Sequence, residues 1–199
     1  MNRSIVGFIV ILMLGVSGSL CAQVKEDAGS KRMRPALLVI DIQNQYLPMV
    51  PEREREVGMY MINAFIDLFR KYNYPVIRVY STDPAGGPKQ GTEAFEFPIT
   101  VLIKSDDPMV VKNYGNSFNK TDLQKILQDK KCNTVFLCGL SSVGCVLATY
   151  FGANDLDYNA FMLKDAIMSH NSEYTNSIED IFGALNYDTV DIMLVNAEK

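Results

Sequence analysis

The sequence predicts a three-layer α/β/α, Rossmann-like fold on a six-stranded, mainly parallel sheet. Three observations carry this. Short apolar runs recur along the chain, and such runs read as strands buried on both faces, as in parallel sheets. Segments with helical spacing of apolar residues separate them. Strands alternating with helices imply right-handed crossovers and a sheet covered on both sides.

In chain order, Ala-Leu-Leu-Val-Ile at 36–40 is a continuous apolar strand that ends in Asp41. Residues 52–72 form a helix, with Val57, Met61, Ala64, Phe65 and Leu68 on its apolar face. A second strand covers 75–80. Residues 81–108 are irregular and rich in Gly, Pro and Asp, and a connection this long usually carries function. A short third strand at 109–112 ends in Lys112. A helix at 122–128 leads to the fourth strand, 134–138, which Gly139 breaks. A short connection, 139–144, opens a helix running from Cys145 to about Asp155. The fifth strand is 160–163, a helix follows at 173–185, and 189–194 (Thr-Val-Asp-Ile-Met-Leu) is the sixth strand.

The chain has 199 residues, which suggests one folded domain, here 35–199, behind two N-terminal segments. Apolar content of 48% and charged content of 21% are normal for a globular protein with a sizeable core. Net charge is −4 and no basic tract stands out, which argues against nucleic acid as a partner. Residues 1–22 read as a signal peptide: Arg3 gives a positive start, and 5–16 is an apolar run of about 12 residues, too short to span a bilayer. Cleavage is expected after Ala22. A lipid anchor on Cys21 is disfavoured because Leu20 is not small. The mature protein is then periplasmic or secreted, with no membrane attachment, and residues 23–34 form a flexible lead-in.

Three cysteines remain after such cleavage: Cys132, Cys138 and Cys145. Cys132 and Cys138 flank one strand, and six residues at about 3.3 Å each place them roughly 20 Å apart. A disulfide needs Cα atoms within about 7 Å. Cys145 begins a helix just past the carboxyl end of a strand, where free amides and the positive helix end favour thiolate. A buried structural cysteine is the plainer alternative, since free Cys is among the most buried residue types.

In parallel sheets of this kind, sites lie beyond the carboxyl ends of the strands. Asp41, Lys112 and Cys145 all fall there. Singly, Asp41 reads equally as a turn cap and Lys112 as an edge lysine reaching for solvent. Together they supply a proton acceptor, a stabilising cation and a nucleophile.

Val-Ile-Asp-Ile-Gln (39–43), Val-Val-Lys-Asn-Tyr-Gly-Asn-Ser-Phe (110–118) and Cys-Gly-Leu-Ser-Ser-Val-Gly-Cys-Val (138–146) together resemble the isochorismatase-like cysteine hydrolases. That superfamily includes nicotinamidases, N-carbamoyl amidohydrolases and isochorismatases. The resemblance covers roughly 35–195 in order and spacing. It implies an Asp-Lys-Cys triad at Asp41, Lys112 and Cys145. It also implies a cis peptide at Leu140–Ser141, with the amides of Ser141 and Cys145 forming an oxyanion hole, and a homo-oligomer.

Two departures stand out. Nicotinamidases of this superfamily bind a metal through Asp-x-His, and here that stretch is Asp83-Pro84-Ala85. The chain has one histidine, His170, in the loop after the fifth strand, where it reads as a loop residue. No imidazole-rich metal site can be built within one chain, so no metal or cofactor is expected. The second departure is Ser-Ser-Val-Gly before the nucleophile, in place of the usual small-Thr-acid run.

The sequence therefore points to a metal-independent hydrolase cleaving a C–N bond of a small amide or carbamoyl compound. Gln43, Tyr46, Phe95, Tyr114 and Phe118 are candidates to line its substrate pocket. The alternatives are isochorismate-type vinyl ether hydrolysis, or a non-catalytic small-molecule-binding or thiol-redox protein on the same fold.

Overall fold

The computed structural model describes residues 32–82, 84 and 86–198. The proposed signal peptide, the lead-in up to residue 31, Asp83 and Ala85 lie outside the described residues. Within them, five strands form one sheet: β1 (Pro35–Ile40), β2 (Val76–Ser81), β3 (Met109–Lys112), β4 (Thr134–Leu140) and β5 (Asn159–Met168). Their order is β3-β2-β1-β4-β5, and every neighbouring pair is parallel. The chain steps outward from β1 to β3, then crosses back to build β4 and β5 on the other side. Adjacent strands β1 and β4 therefore send their connections in opposite directions. Beyond the paired carboxyl ends those connections part and leave a crevice, the usual ligand position in such sheets.

Strand alternation divides the interior into two cores. Leu37 and Val39 of β1 pack with α1 (Glu52–Lys71) and α5 (Tyr187–Val195). Ala36, Leu38 and Ile40 pack with α2 (Leu123–Asp129), α3 (Cys145–Asn154) and α4 (Ser172–Phe182). This is the expected three-layer arrangement. Helix α1 carries Glu52 and Glu54 in its first turn and Arg70 and Lys71 in its last, each suited to the helix dipole. Its buried stripe is Ile62, Phe65, Ile66, Leu68 and Phe69; Phe65 and Leu68 are buried as read, while Val57 is exposed. Residues 32–34 are anchored at their end: the Arg34 amide donates to Asn133 Oδ1 at 2.8 Å, and its guanidinium donates to Glu198.

The expected sixth strand is absent among the described residues; that stretch is α5. The β-branched Thr189, Val190 and Ile192 favour a strand locally. Capping and burial favour the helix. The Asn186 side chain accepts from the Thr189 amide, and Val190 and Leu194, four apart, face the core. Helix α4 stops at Phe182 because Gly183 adopts a left-handed C-cap (φ 60°). Leu185 then makes a single parallel bridge to Leu163 on the outer edge of β5. Strand β4 does not end at Gly139. It passes through that residue with a register shift, and Gly139 sits at φ 115° where a Cβ would run into the Ile40 carbonyl. Only glycine lets the ends of β1 and β4 come this close. Strand β5 also runs five residues further than read, to Met168.

In a strand, Val190, Ile192 and Leu194 would share one face; in α5, Ile192 is 65% exposed and Leu194 is 1% exposed. Leu194→Ala should lower stability by about 2–5 kcal/mol. Ile192→Ala should stay within about 0.5 kcal/mol of wild type. Urea denaturation midpoints check both.

Candidate active site

Three strand ends bring the site together. Asp41 follows β1 in a left-handed conformation (φ 52°), which short polar residues tolerate, and its amide donates to Val79 O at 2.9 Å. Lys112 ends β3, two strands away, in register with Ser81 of β2. Its stem spans that strand, and Nζ donates to Asp41 Oδ2 at 2.6 Å and to Cys145 Sγ at 3.1 Å. The Lys112 side chain is fully buried and that of Asp41 is 4% exposed. A solvent-seeking lysine and a turn-capping aspartate are therefore both ruled out. Asp41 Oδ1 is buried with no hydrogen-bond partner among the described residues.

Cys145 begins α3, as read. The preceding Leu140–Ser141 peptide is cis. The Ser141 carbonyl accepts from the Gly144 and Val146 amides, which closes the turn. Among the described residues the amides of Ser141 and Cys145 have no protein acceptor, so both are available to a ligand.

Burial pushes the Cys145 thiol up to about 11; the Asp41 carboxylate adds to this and Lys112 opposes it. Burial and Asp41 thus oppose the thiolate that the helix N-terminus alone favours. Burial also raises the Asp41 carboxyl, against Lys112, and so makes it a better proton acceptor. Burial lowers Lys112, but the neighbouring Asp41 and Cys145 outweigh it and hold the ammonium above its ordinary value. Burial raises the other two thiols, Cys132 to about 11 and Cys138 further. All three are free thiols, and Cys145 is the one not fully buried.

A cavity of about 290 Å³ opens above the thiol, lined by Asp41, Tyr46, Met49, Val50, Ser81, Leu140, Ser141, Cys145, Ser169 and His170. Of the five pocket candidates, only Tyr46 lies on this wall. Gln43 is instead a buried clamp: its amide donates to Ser81 O and accepts from Ser81 N, tying the exit of β1 to the end of β2. Phe95 is stacked on Tyr80 at 4.8 Å, with Phe97 on the same ring at 4.2 Å, which docks the 81–108 connection. Tyr114 is exposed and lies against Lys120. Phe118 stacks on Tyr158 in the second core. Apolar aromatics near a motif were packed rather than displayed.

Met49, Val50, Ser81, Ser169 and His170 were missed. The apolar run at 160–163 understates β5, which leaves His170 in a loop when read from sequence. With β5 reaching Met168, Ser169 and His170 stand directly at a strand end, where the carboxyl-end rule would have put them on the rim. Among the described residues no cluster of three His, Cys, Asp or Glu could hold a metal ion. One histidine in the whole chain does not fit an imidazole-rich site.

Residues 35–189 match the isochorismatase domain family model, and the chain belongs to the isochorismatase family. A secreted isochorismatase effector of Verticillium dahliae is 27% identical over 134 residues, 66% of this chain and 70% of that protein. A probable inactive nicotinamidase of Arabidopsis thaliana is 28% identical over 176 residues, 73% of this chain and 87% of that protein. The crystal structure of N-carbamoylsarcosine amidase from Thermoplasma acidophilum shares the fold, with a TM-score of 0.66 at 23% identity, over 77% of this chain and 95% of that one.

Limiting iodoacetamide should label Cys145 ahead of Cys132 and Cys138, read by peptide mapping. Because the thiol titrates near 11, its labelling rate should climb with pH between 8 and 10, by about tenfold per unit. Asp41→Asn removes a negative charge that raises the thiol, so labelling at pH 8 should accelerate.

Proposed function

We propose that this protein is a cysteine hydrolase cleaving the C–N bond of a small amide or carbamoyl compound through a thioester on Cys145. The observation that carries the reading is the single ammonium of Lys112 touching both the Asp41 carboxylate and the Cys145 thiol at the floor of a cavity.

The chemistry follows from that contact. Asp41 takes the thiol proton, and Lys112 stays in contact with the resulting thiolate. Net charge inside the buried triad does not change, so the transfer avoids creating a new charge in a low-dielectric setting. The thiolate attacks the carbonyl carbon, and the amides of Ser141 and Cys145 receive the developing oxyanion. Such donors often contribute about 3 kcal/mol to the barrier reduction. The amine leaves with the proton returned by Asp41. Water, deprotonated by Asp41, then cleaves the thioester and regenerates the thiol.

The cavity supports an uncharged substrate. Its volume suits a molecule of few heavy atoms, and the Lys112 ammonium at its floor is already paired with Asp41. A dianionic vinyl ether of the isochorismate kind would meet no lysine or arginine among the described residues of this lining. The relative described as inactive gives weight to the other alternative, a binding protein on the same fold.

The test is acid-quenched intact mass after mixing with small primary amides and N-carbamoyl compounds. An acyl adduct on Cys145 is expected. Cys145→Ala and Asp41→Asn should each cut turnover by about a thousandfold or more, and the double mutant should be little worse than either, because members of one catalytic unit are not additive. Cys132→Ala should be nearly silent. Turnover by Cys145→Ala would end the reading.

We also infer export to the periplasm or beyond, supported by the apolar 5–16 run before Leu-Cys-Ala and by a secreted relative. Intact mass of protein from its native host should give a chain beginning near Gln23; a cytoplasmic chain retaining Met1 would overturn this.

A further inference from the structure

Behind the cavity, on the side away from Lys112, lies a second polar cluster that the proposed chemistry does not use. Glu54, in the first turn of α1, sends Oε1 inward. That one oxygen accepts from the Ser169 amide at 2.9 Å and from the Thr175 hydroxyl at 2.7 Å. Thr175 has a single hydroxyl hydrogen, which goes to the carboxylate, so its oxygen is left to accept. The Ser142 hydroxyl lies 3.2 Å from it and is the donor in that pair. Ser142 is fully buried, and its own amide donates to Met168 O at 2.8 Å. Ser169 completes the cluster: its hydroxyl donates to Asn171 O and sits 3.0 Å from the Thr175 oxygen.

The hydrogens therefore run in one direction, from Ser142 to Thr175 to Glu54. The chain ends on a carboxylate, and charge-assisted bonds of this kind are the stronger ones. Its two inputs come from neighbouring strand ends, Ser142 just past β4 and Ser169 just past β5. Ser142 directly follows Ser141, whose amide faces the oxyanion position. Ser169 precedes His170, and both line the cavity. Ser142, Thr175 and Ser169 are all buried, so water cannot replace a lost partner easily.

We propose that Glu54, acting through Thr175, is a positioning residue that sets the Ser141–Ser142 turn and hence the oxyanion-binding amides. This rests on the cysteine hydrolase reading above. Glu54 and Thr175 touch neither the cavity nor the thiol, so they act on chemistry only through the turn they hold.

The test uses two probes of Cys145 that need no knowledge of the substrate. Propionaldehyde adds reversibly to the thiol. The S–C bond forms, the carbonyl π bond becomes an oxyanion at the two amides, and the thiol proton ends on that oxygen to give a thiohemiacetal. Iodoacetamide forms an S–C bond and expels iodide, with no oxyanion. On the full chain, Thr175→Val should weaken propionaldehyde binding by about tenfold, less than the loss typical of deleting an oxyanion donor, while alkylation stays within about twofold. Thr175→Ser, which keeps the hydroxyl, should restore aldehyde binding, and Glu54→Ala should behave as Thr175→Val. Equal aldehyde affinity in Thr175→Val and wild type would overturn the positioning role and leave the hydrolase reading intact. Parallel loss of aldehyde binding and alkylation would also overturn it, since that marks general packing. A wild-type protein that is alkylated at Cys145 but does not bind the aldehyde would overturn both this proposal and the reading beneath it.

Discussion

A lysine ammonium with no exposure to solvent is the constraint to which the rest of the site answers. Burying such a charge without compensation is prohibitive. Lys112 is tolerated because Asp41 approaches to 2.6 Å and the Cys145 sulfur to 3.1 Å. Those partners come from β1 and α3, and Lys112 from β3, so the ion pair is satisfied only when the sheet order is correct. The pair thus ties assembly of the sheet to assembly of the site. It also explains what opposes a thiolate: the anion that compensates Lys112 is the carboxylate, and a second anion beside it is repelled.

The surroundings of the triad divide by task. The ends of β1 and β4 converge because Gly139 carries no side chain opposite Ile40. This places Asp41 beside the turn that leads into Cys145. Gln43 repeats the geometry of a strand pair with its side chain, bonding both backbone groups of Ser81 beyond the point where β1 has ended. Both devices fix backbone rather than substrate. Among the described residues the groups left open to a ligand include two amides, the Ser141 hydroxyl, a thiol and one carboxylate oxygen.

Much of this was legible in the sequence because it depends on strand ends. Asp41, Lys112 and Cys145 each follow or end an apolar run, and in a parallel sheet that suffices to put them on one rim. Less was legible where local preference and tertiary context disagree. The 189–194 segment has the β-branched content of a strand, and only burial of Val190 and Leu194 four residues apart makes it a helix. The pocket wall was the least readable part. Aromatics such as Phe95 and Phe118 look like binding residues in sequence, but they are stacked into the interior. His170 is hidden in the sequence because the polar Lys164-Asp165 pair interrupts the apolar run of β5 before the strand ends. Side-chain direction around a cavity is decided by contacts distant in sequence, and no local pattern encodes it.

The Tyr80–Phe95–Phe97 stack has a consequence for how such a protein can change. Phe95 and Phe97 fasten the long 81–108 connection to the sheet, and within that fastening the Asn44 and Gln45 amides donate to the Glu96 and Ala94 carbonyls. The segment carrying Tyr46, Met49 and Val50 starts from there. One wall of the cavity therefore hangs on a surface loop, while the reactive groups hang on strand ends. Insertions or exchanges in the loop would reshape the wall and leave the carboxylate, ammonium and thiol at their distances. A scaffold partitioned in this way can be retuned to new small molecules by drift at its surface, with its reactive centre inherited unaltered.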